Sequence, residues 1–149
     1  MSDGTTPQAT LPASAVEIGA ALPELRIEVT PTFVISTALA TRDFQDVHHD
    51  RDLARQRGSK DIFLNILTDT GLVQRFVTDW AGPEALVRSV NIKLGVPCYA
   101  YDTLTLTGRV ADRIEAGGEQ RIVVEICGTV SLGAHVTGTV QVALPEVES

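Results

Sequence analysis

The residues best placed to do chemistry are Asp43 and His48, five positions apart in Arg42-Asp43-Phe44-Gln45-Asp46-Val47-His48-His49-Asp50. A free aspartate ionises near about pH 4 and a free imidazole near about 6.5, so a charged base and a neutral imidazole coexist at neutral pH. Converging on one water molecule, they suit general acid–base addition of water across an activated double bond, or its reversal. The same spacing also fits an aspartate capping a short helix and a histidine satisfying backbone groups. His49 is the rival imidazole, expected to be structural or solvated. A metal held by His48, His49, Asp46 and Asp50 is disfavoured, because adjacent histidines rarely converge on one ion and no His-x-x-x-His or cysteine pair completes a set. No metal and no separate cofactor are expected.

The elements around the pair follow from hydrophobic period. Residues 1–20, rich in Gly, Thr, Pro, Ser and Ala at their start, read as a flexible tail ahead of one domain over 21–146. Thr32 to Ala40 is β-branched and apolar and reads as the first strand. A short helical piece near Asp52 to Arg57 can end at Gly58. Asp61 to Trp80 reads as a long helix, capped by Ser59 or Asp61, buried over most of its circumference and stopped at Gly82-Pro83. Asn65, Thr68, Asp69 and Thr70 are its polar exceptions.

Four runs then alternate with a period of two: Leu86–Leu94, Thr103–Val110, Arg121–Val130 and His135–Leu144. In the first of them Leu86, Arg88, Val90, Ile92 and Leu94 share a face. Gly117-Gly118 and Leu132-Gly133-Ala134 give tight connections, so the last three runs predict an antiparallel meander. One long apolar helix with a single sheet available must be wrapped by that sheet. The expected fold is α+β, a single hotdog domain.

Composition narrows the function. A 149-residue chain with 44% hydrophobic residues is long enough for one compact core. The net charge of -7 argues against nucleic acid, which needs a basic face. There is no basic start with a continuous apolar run, and no stretch long enough to span a bilayer. A cytoplasmic protein without a membrane partner is expected, with Cys98 and Cys127 as reduced thiols.

At Asp43 and His48 the chain resembles the MaoC-like enoyl-CoA hydratases, whose motif runs Asp-x-Asn-Pro-x-His, five residues, then a small residue. Asp43, His48 and Ala54 match, while Gln45 and Asp46 replace the Asn and Pro. The runs ALATRDFQDVHHDRD, GSKDIFLNILTDTGLVQRFVTDWAGP and LGVPCYAYDT further resemble the small subunit of a heteromeric steroid side-chain enoyl-CoA hydratase.

That resemblance implies Asp43 as the base that draws a proton from water, and His48 as the group that holds the same water. It implies a backbone N–H near the start of the central helix, about Asn65 and Ile66, as the oxyanion donor. Asn65 fits equally a polar group bonded within the helical layer or at a dimer seam. Gly58 offers close backbone approach to substrate, or simply a helix stop. Arg75, Arg88 and Lys93 are candidates for the CoA phosphates, CoA being part of the substrate. Trp80, Tyr99 and Tyr101 suit either a tunnel wall or the core.

The implied activity is reversible hydration of a 2-enoyl-CoA, with a steroid side-chain thioester as substrate. The implied partner is a larger MaoC-like hotdog subunit, in a heterodimer or heterotetramer. The competing readings are a homodimeric (R)-specific fatty enoyl-CoA hydratase, a non-catalytic hotdog subunit stabilising a partner, and a thioesterase.

Overall fold

The computed structural model describes residues 8–146. The chain forms β1 (Leu25–Glu28), α1 (Pro31–Ala40), α2 (Arg51–Gln56), α3 (Ile66–Ala81), β2 (Leu86–Leu94), β3 (Thr103–Ala116), β4 (Glu119–Val130) and β5 (Gly133–Leu144). The strands make one antiparallel sheet in the order β1-β3-β4-β5-β2, with β3, β4 and β5 as the expected meander. Leu104, Leu106, Val110, Ile122, Val124, Ile126, Val136, Val140 and Val142 are buried, as are Leu72, Val73, Phe76 and Val77 of α3. Each such side chain contributes about 1.5–3 kcal/mol when fully buried, so this seam holds the two layers together. Gly108 is part of the seat: a Cβ there would lie 2.8 Å from the Phe76 ring. The hotdog expectation holds.

Several details differ from the sequence reading. Thr32 to Ala40 is not a strand but most of α1. Thr30 accepts a hydrogen bond from Phe33 N and Pro31 opens the first turn, so a strong start signal overrides the β-branched composition. Val34 and Ala38 then bury on one face. The first strand is the shorter β1 ahead of it.

Helix α3 begins at Ile66 under an Asn65 cap, not at Ser59 or Asp61. Residues 62–64 are extended instead, with Leu64 N bonded to Cys98 O and Ala100 N to Ile62 O. Burial of α3 is one-sided, and Ile66 and Leu67 are about half exposed. In β2 a bulge between Val87 and Ser89 switches the alternation, so Val87 and Val90 both pack on the core while Leu86 and Arg88 turn outward.

The tail reading fails for residues 8–20. Thr10, Ala13 and Val16 are buried, Leu11 N donates to Ala81 O, and Ala13 N donates to Pro145 O. Residues 1–7 of that tail lie outside the described residues. Among the described residues, no helix is long and apolar enough to cross a membrane.

Candidate active site

The end of α1 sets the position of Asp43. Asp43 N donates to Ala38 O and Arg42 N to Leu39 O, with Arg42 at φ 59. This is the double bond pattern that closes a helix through a left-handed residue, here an arginine where glycine is usual. The closure fixes the backbone of Asp43 and turns its carboxylate toward the start of α3. Oδ1 accepts from Gln45 N, and Oδ2 accepts from Asn65 Nδ2 at 3.2 Å.

His48 reaches the same place from a 3-10 turn, Asp46–His48. It is buried, and its Nδ1 lies 2.7 Å from Phe63 O. A carbonyl only accepts, so Nδ1 carries the proton and Nε2 faces Asp43. Phe63 also packs edge-on against the imidazole, at 5.0 Å between centroids, and its own N–H donates to Val47 O. Nε2 and Asp43 Oδ2 are 3.5 Å apart, too long for a direct hydrogen bond of ordinary strength yet close enough to share a water.

Asn65 ties the site together. Its Nδ2 also donates to Thr41 Oγ1 at 2.8 Å, while its Oδ1 accepts from Thr68 N and from the Thr68 hydroxyl. Of the two readings of Asn65, the side chain is thus a bonded polar group, holding Asp43 and capping α3. The backbone N–H groups of Ile66 and Leu67 open a 16-residue helix, where the first-turn amides are the unsatisfied, positive end. Leu39 and Phe44, near Asp43 in sequence, and Ile66 and Leu67, which follow Asn65, are large apolar side chains left exposed.

Other candidates lie apart from this constellation. Gly58 (φ +92) is a helix stop: it and Ser59 donate to Arg55 O and Ala54 O. Arg75 pairs with Asp79 along α3, Arg88 pairs with Glu119, and Lys93 is exposed on β2. Five residue steps of extended strand, roughly 16 Å, separate Arg88 from Lys93, and Arg75 lies in the helical layer, so the three do not gather into one phosphate site. His49 is exposed, Asp50 caps α2 through Leu53 N, and the Arg57 guanidinium holds the Asp46 carboxyl below the usual carboxylate range. Tyr99 stacks edge-on behind Phe63, and Tyr101 is exposed beneath the Arg51 guanidinium. Trp80 packs at the edge of the core.

Sequence reasoning missed Thr41, Thr68 and the Phe63 carbonyl. Asn65, a favoured N-cap type ahead of the helical run, was a visible capping signal. It also missed a second carboxylate–imidazole pair, Asp69 with His135, which is fully enclosed. His135 Nε2 lies 2.9 Å from both Asp69 oxygens and Nδ1 lies 2.7 Å from Val96 O. Burial first, then the charges of Asp69 and Asp102, push the Cys98 thiol up to about 12. Both cysteines are free.

No family model matches the chain. It is 61% identical over 127 residues to the 3-oxo-4,17-pregnadiene-20-carboxyl-CoA hydratase beta subunit of Mycobacterium tuberculosis, covering 85% of this chain and 95% of that protein. A chain in the crystal structure of the ChsH1–ChsH2 complex from Mycobacterium tuberculosis superposes with a TM-score of 0.81 at 60% identity, over 86% of this chain and 98% of that one. The (R)-hydratase PhaJ1 from Pseudomonas aeruginosa shares the fold at 17% identity, with a TM-score of 0.81 over 95% of this chain and 90% of that one.

Proposed function

The chain belongs to the family of steroid side-chain hydratase beta subunits, and on that premise we propose that it hydrates a 2-enoyl-CoA using Asp43 and His48. The observation that carries this reading is the facing of Asp43 Oδ2 and His48 Nε2 at 3.5 Å beside the first turn of α3. With Nδ1 protonated, a neutral His48 presents a lone pair at Nε2, and Asp43 presents another. A water that donates one O–H to each satisfies both acceptors and leaves its oxygen lone pairs free to attack.

As that oxygen bonds to the β-carbon, Asp43 takes the proton. The electrons of the double bond move onto the thioester oxygen, where the Ile66 N–H at the positive end of α3 meets the growing charge. The proton then passes from the pair to the α-carbon, so OH and H have been added and Asp43 is again ionised. Asn65 keeps the carboxylate aimed throughout.

The substrate we propose is a steroid side-chain enoyl thioester, and the assembly a heteromer with a larger MaoC-like hotdog subunit. The exposure of Leu39, Phe44, Ile66 and Leu67 on the segments that carry Asp43 and Asn65 supports both, since such side chains suit a bulky acyl group or a covering subunit better than solvent. The test is loss of enoyl absorbance with a steroid side-chain enoyl-CoA and with a straight-chain one, by the chain alone and co-purified with the larger subunit. Turnover of the steroid thioester only by the pair is the expected result. Turnover of the straight-chain substrate by the chain alone would replace this reading with the homodimeric fatty hydratase.

A further inference from the structure

We propose that Asp69 and His135 are positioning residues, a buried clamp that holds the two halves of the Asp43–His48 site in register. The inference rests on the function proposed above, and its observations are independent of Asp43 and His48 themselves. Asp69 and His135 are 66 residues apart, wholly enclosed, and bonded by both carboxylate oxygens. An apolar pair would fill the same space without the cost of desolvating two polar groups, so their presence calls for a role beyond packing.

Two chains of contacts run from the clamp to the site. Along the first, Asp69 lies one helical turn below Asn65, and its N–H donates to Asn65 O. A shift of that turn moves the Asn65 amide, and with it the Asp43 carboxylate. Along the second, His135 Nδ1 donates to Val96 O, while Gly95 N and Val96 N donate back to His135 O and Ala134 O. The turn after β2 is thereby stitched to β5. From it, Cys98 O accepts from Leu64 N and Ala100 N donates to Ile62 O, bracketing Phe63, whose carbonyl orients His48. One buried bond thus couples the segment that holds the base to the segment that holds the imidazole.

The Cys98 thiol feels the Asp69 charge and is held protonated, and Val96 contributes a carbonyl to His135. Asp69→Asn still puts a hydrogen-bonding amide opposite His135 Nε2, able to accept from it or donate to it, and therefore keeps most of the geometry. Replacing both members by leucine removes the tie while leaving the site filled.

The experiment compares these variants in the assembled complex. Asp69→Leu/His135→Leu is expected to assemble with a Tm near the parent's, to lose kcat by roughly tenfold or more from misplacement alone, and to keep KM within about twofold. Asp69→Asn should recover most of that loss. If the leucine pair does not assemble, His135→Gln, which cannot bond Asp69 and Val96 together, serves the same comparison. Parent kcat in the uncoupled variant, or a defect confined to KM or Tm, overturns the proposal. If the parent complex hydrates no enoyl-CoA, the function proposed above fails separately. The clamp is then read from the imidazole 15N signals of His48: they should move in the uncoupled variant and stay in Asp69→Asn, and unmoved signals in both overturn it.

Discussion

The chain holds two aspartate–histidine pairs of the same composition in opposite states. Asp43 and His48 come from one loop, stand 3.5 Å apart, and leave the carboxylate side chain 21% exposed. Asp69 and His135 come from α3 and β5, close to 2.9 Å, and are sealed from solvent. In both, Nδ1 is anchored on a backbone carbonyl, Phe63 in one case and Val96 in the other. What differs is about half an ångström and the access of water. The open pair leaves acceptors that a water can meet; the closed pair meets its own need and, on the proposal above, acts as a strut. On the proposed mechanism, reactivity depends on leaving that bond unmade.

Stability should separate the pairs most widely. Asp69→Ala strands a buried imidazole and should cost about 3–5 kcal/mol. Asp43→Ala, with water at hand to replace the carboxylate, should cost about 1 kcal/mol or less. Urea unfolding of the two variants checks this, and equal losses would erase the distinction between strut and reactive pair.

The pH dependence sharpens it. Burial alone would push the pKa of His135 down, but the hydrogen bonds and charge of Asp69, with the Val96 carbonyl, outweigh burial and raise it. A histidine whose folded pKa is raised gives stability that is full below its unfolded value, about 6.5, and is lost as pH rises through the folded value. The parent should therefore lose stability on the alkaline side of 6.5, and Asp69→Leu/His135→Leu should lose this slope. Cys98, held protonated to about 12, does not titrate in that window. Parallel curves for the two proteins would mean that the closed pair carries no extra proton.

The stability effect of Asn65→Ala should be small, comparable with that of Asp43→Ala. Loss of the α3 cap should cost about 1 kcal/mol. Because Asn65 also aims Asp43, kcat should fall well beyond what that modest destabilisation explains, at a temperature where the variant is fully folded. An unchanged kcat would confine Asn65 to capping.

The two pairs also mark how far the sequence could be read. Asp43 and His48 are neighbours along the chain, so their spacing was visible without coordinates. Asp69 was seen only as a polar exception in an apolar helix, because its partner is 66 residues away and nothing local announces it. The meander was legible from strict alternation, yet the bulge at Val87 inverted the assignment of Arg88, since one extra residue exchanges the faces. TFVISTALA misled because local β-branched preference is weak beside a Thr-Pro start and the burial of Val34 and Ala38. Arg75, Arg88 and Lys93 show the limit for surface charge: their sign was readable, but not the carboxylates that pair with the two arginines.

The central claim is tested most directly by turnover of a steroid side-chain enoyl-CoA in assembled complexes that carry Asp43→Asn or Asp69→Asn. Each variant removes one negative charge from one pair. Asp43→Asn should assemble but lose about 10²–10⁴ in kcat, while Asp69→Asn should retain most of it. Parent-level turnover by Asp43→Asn would contradict the account.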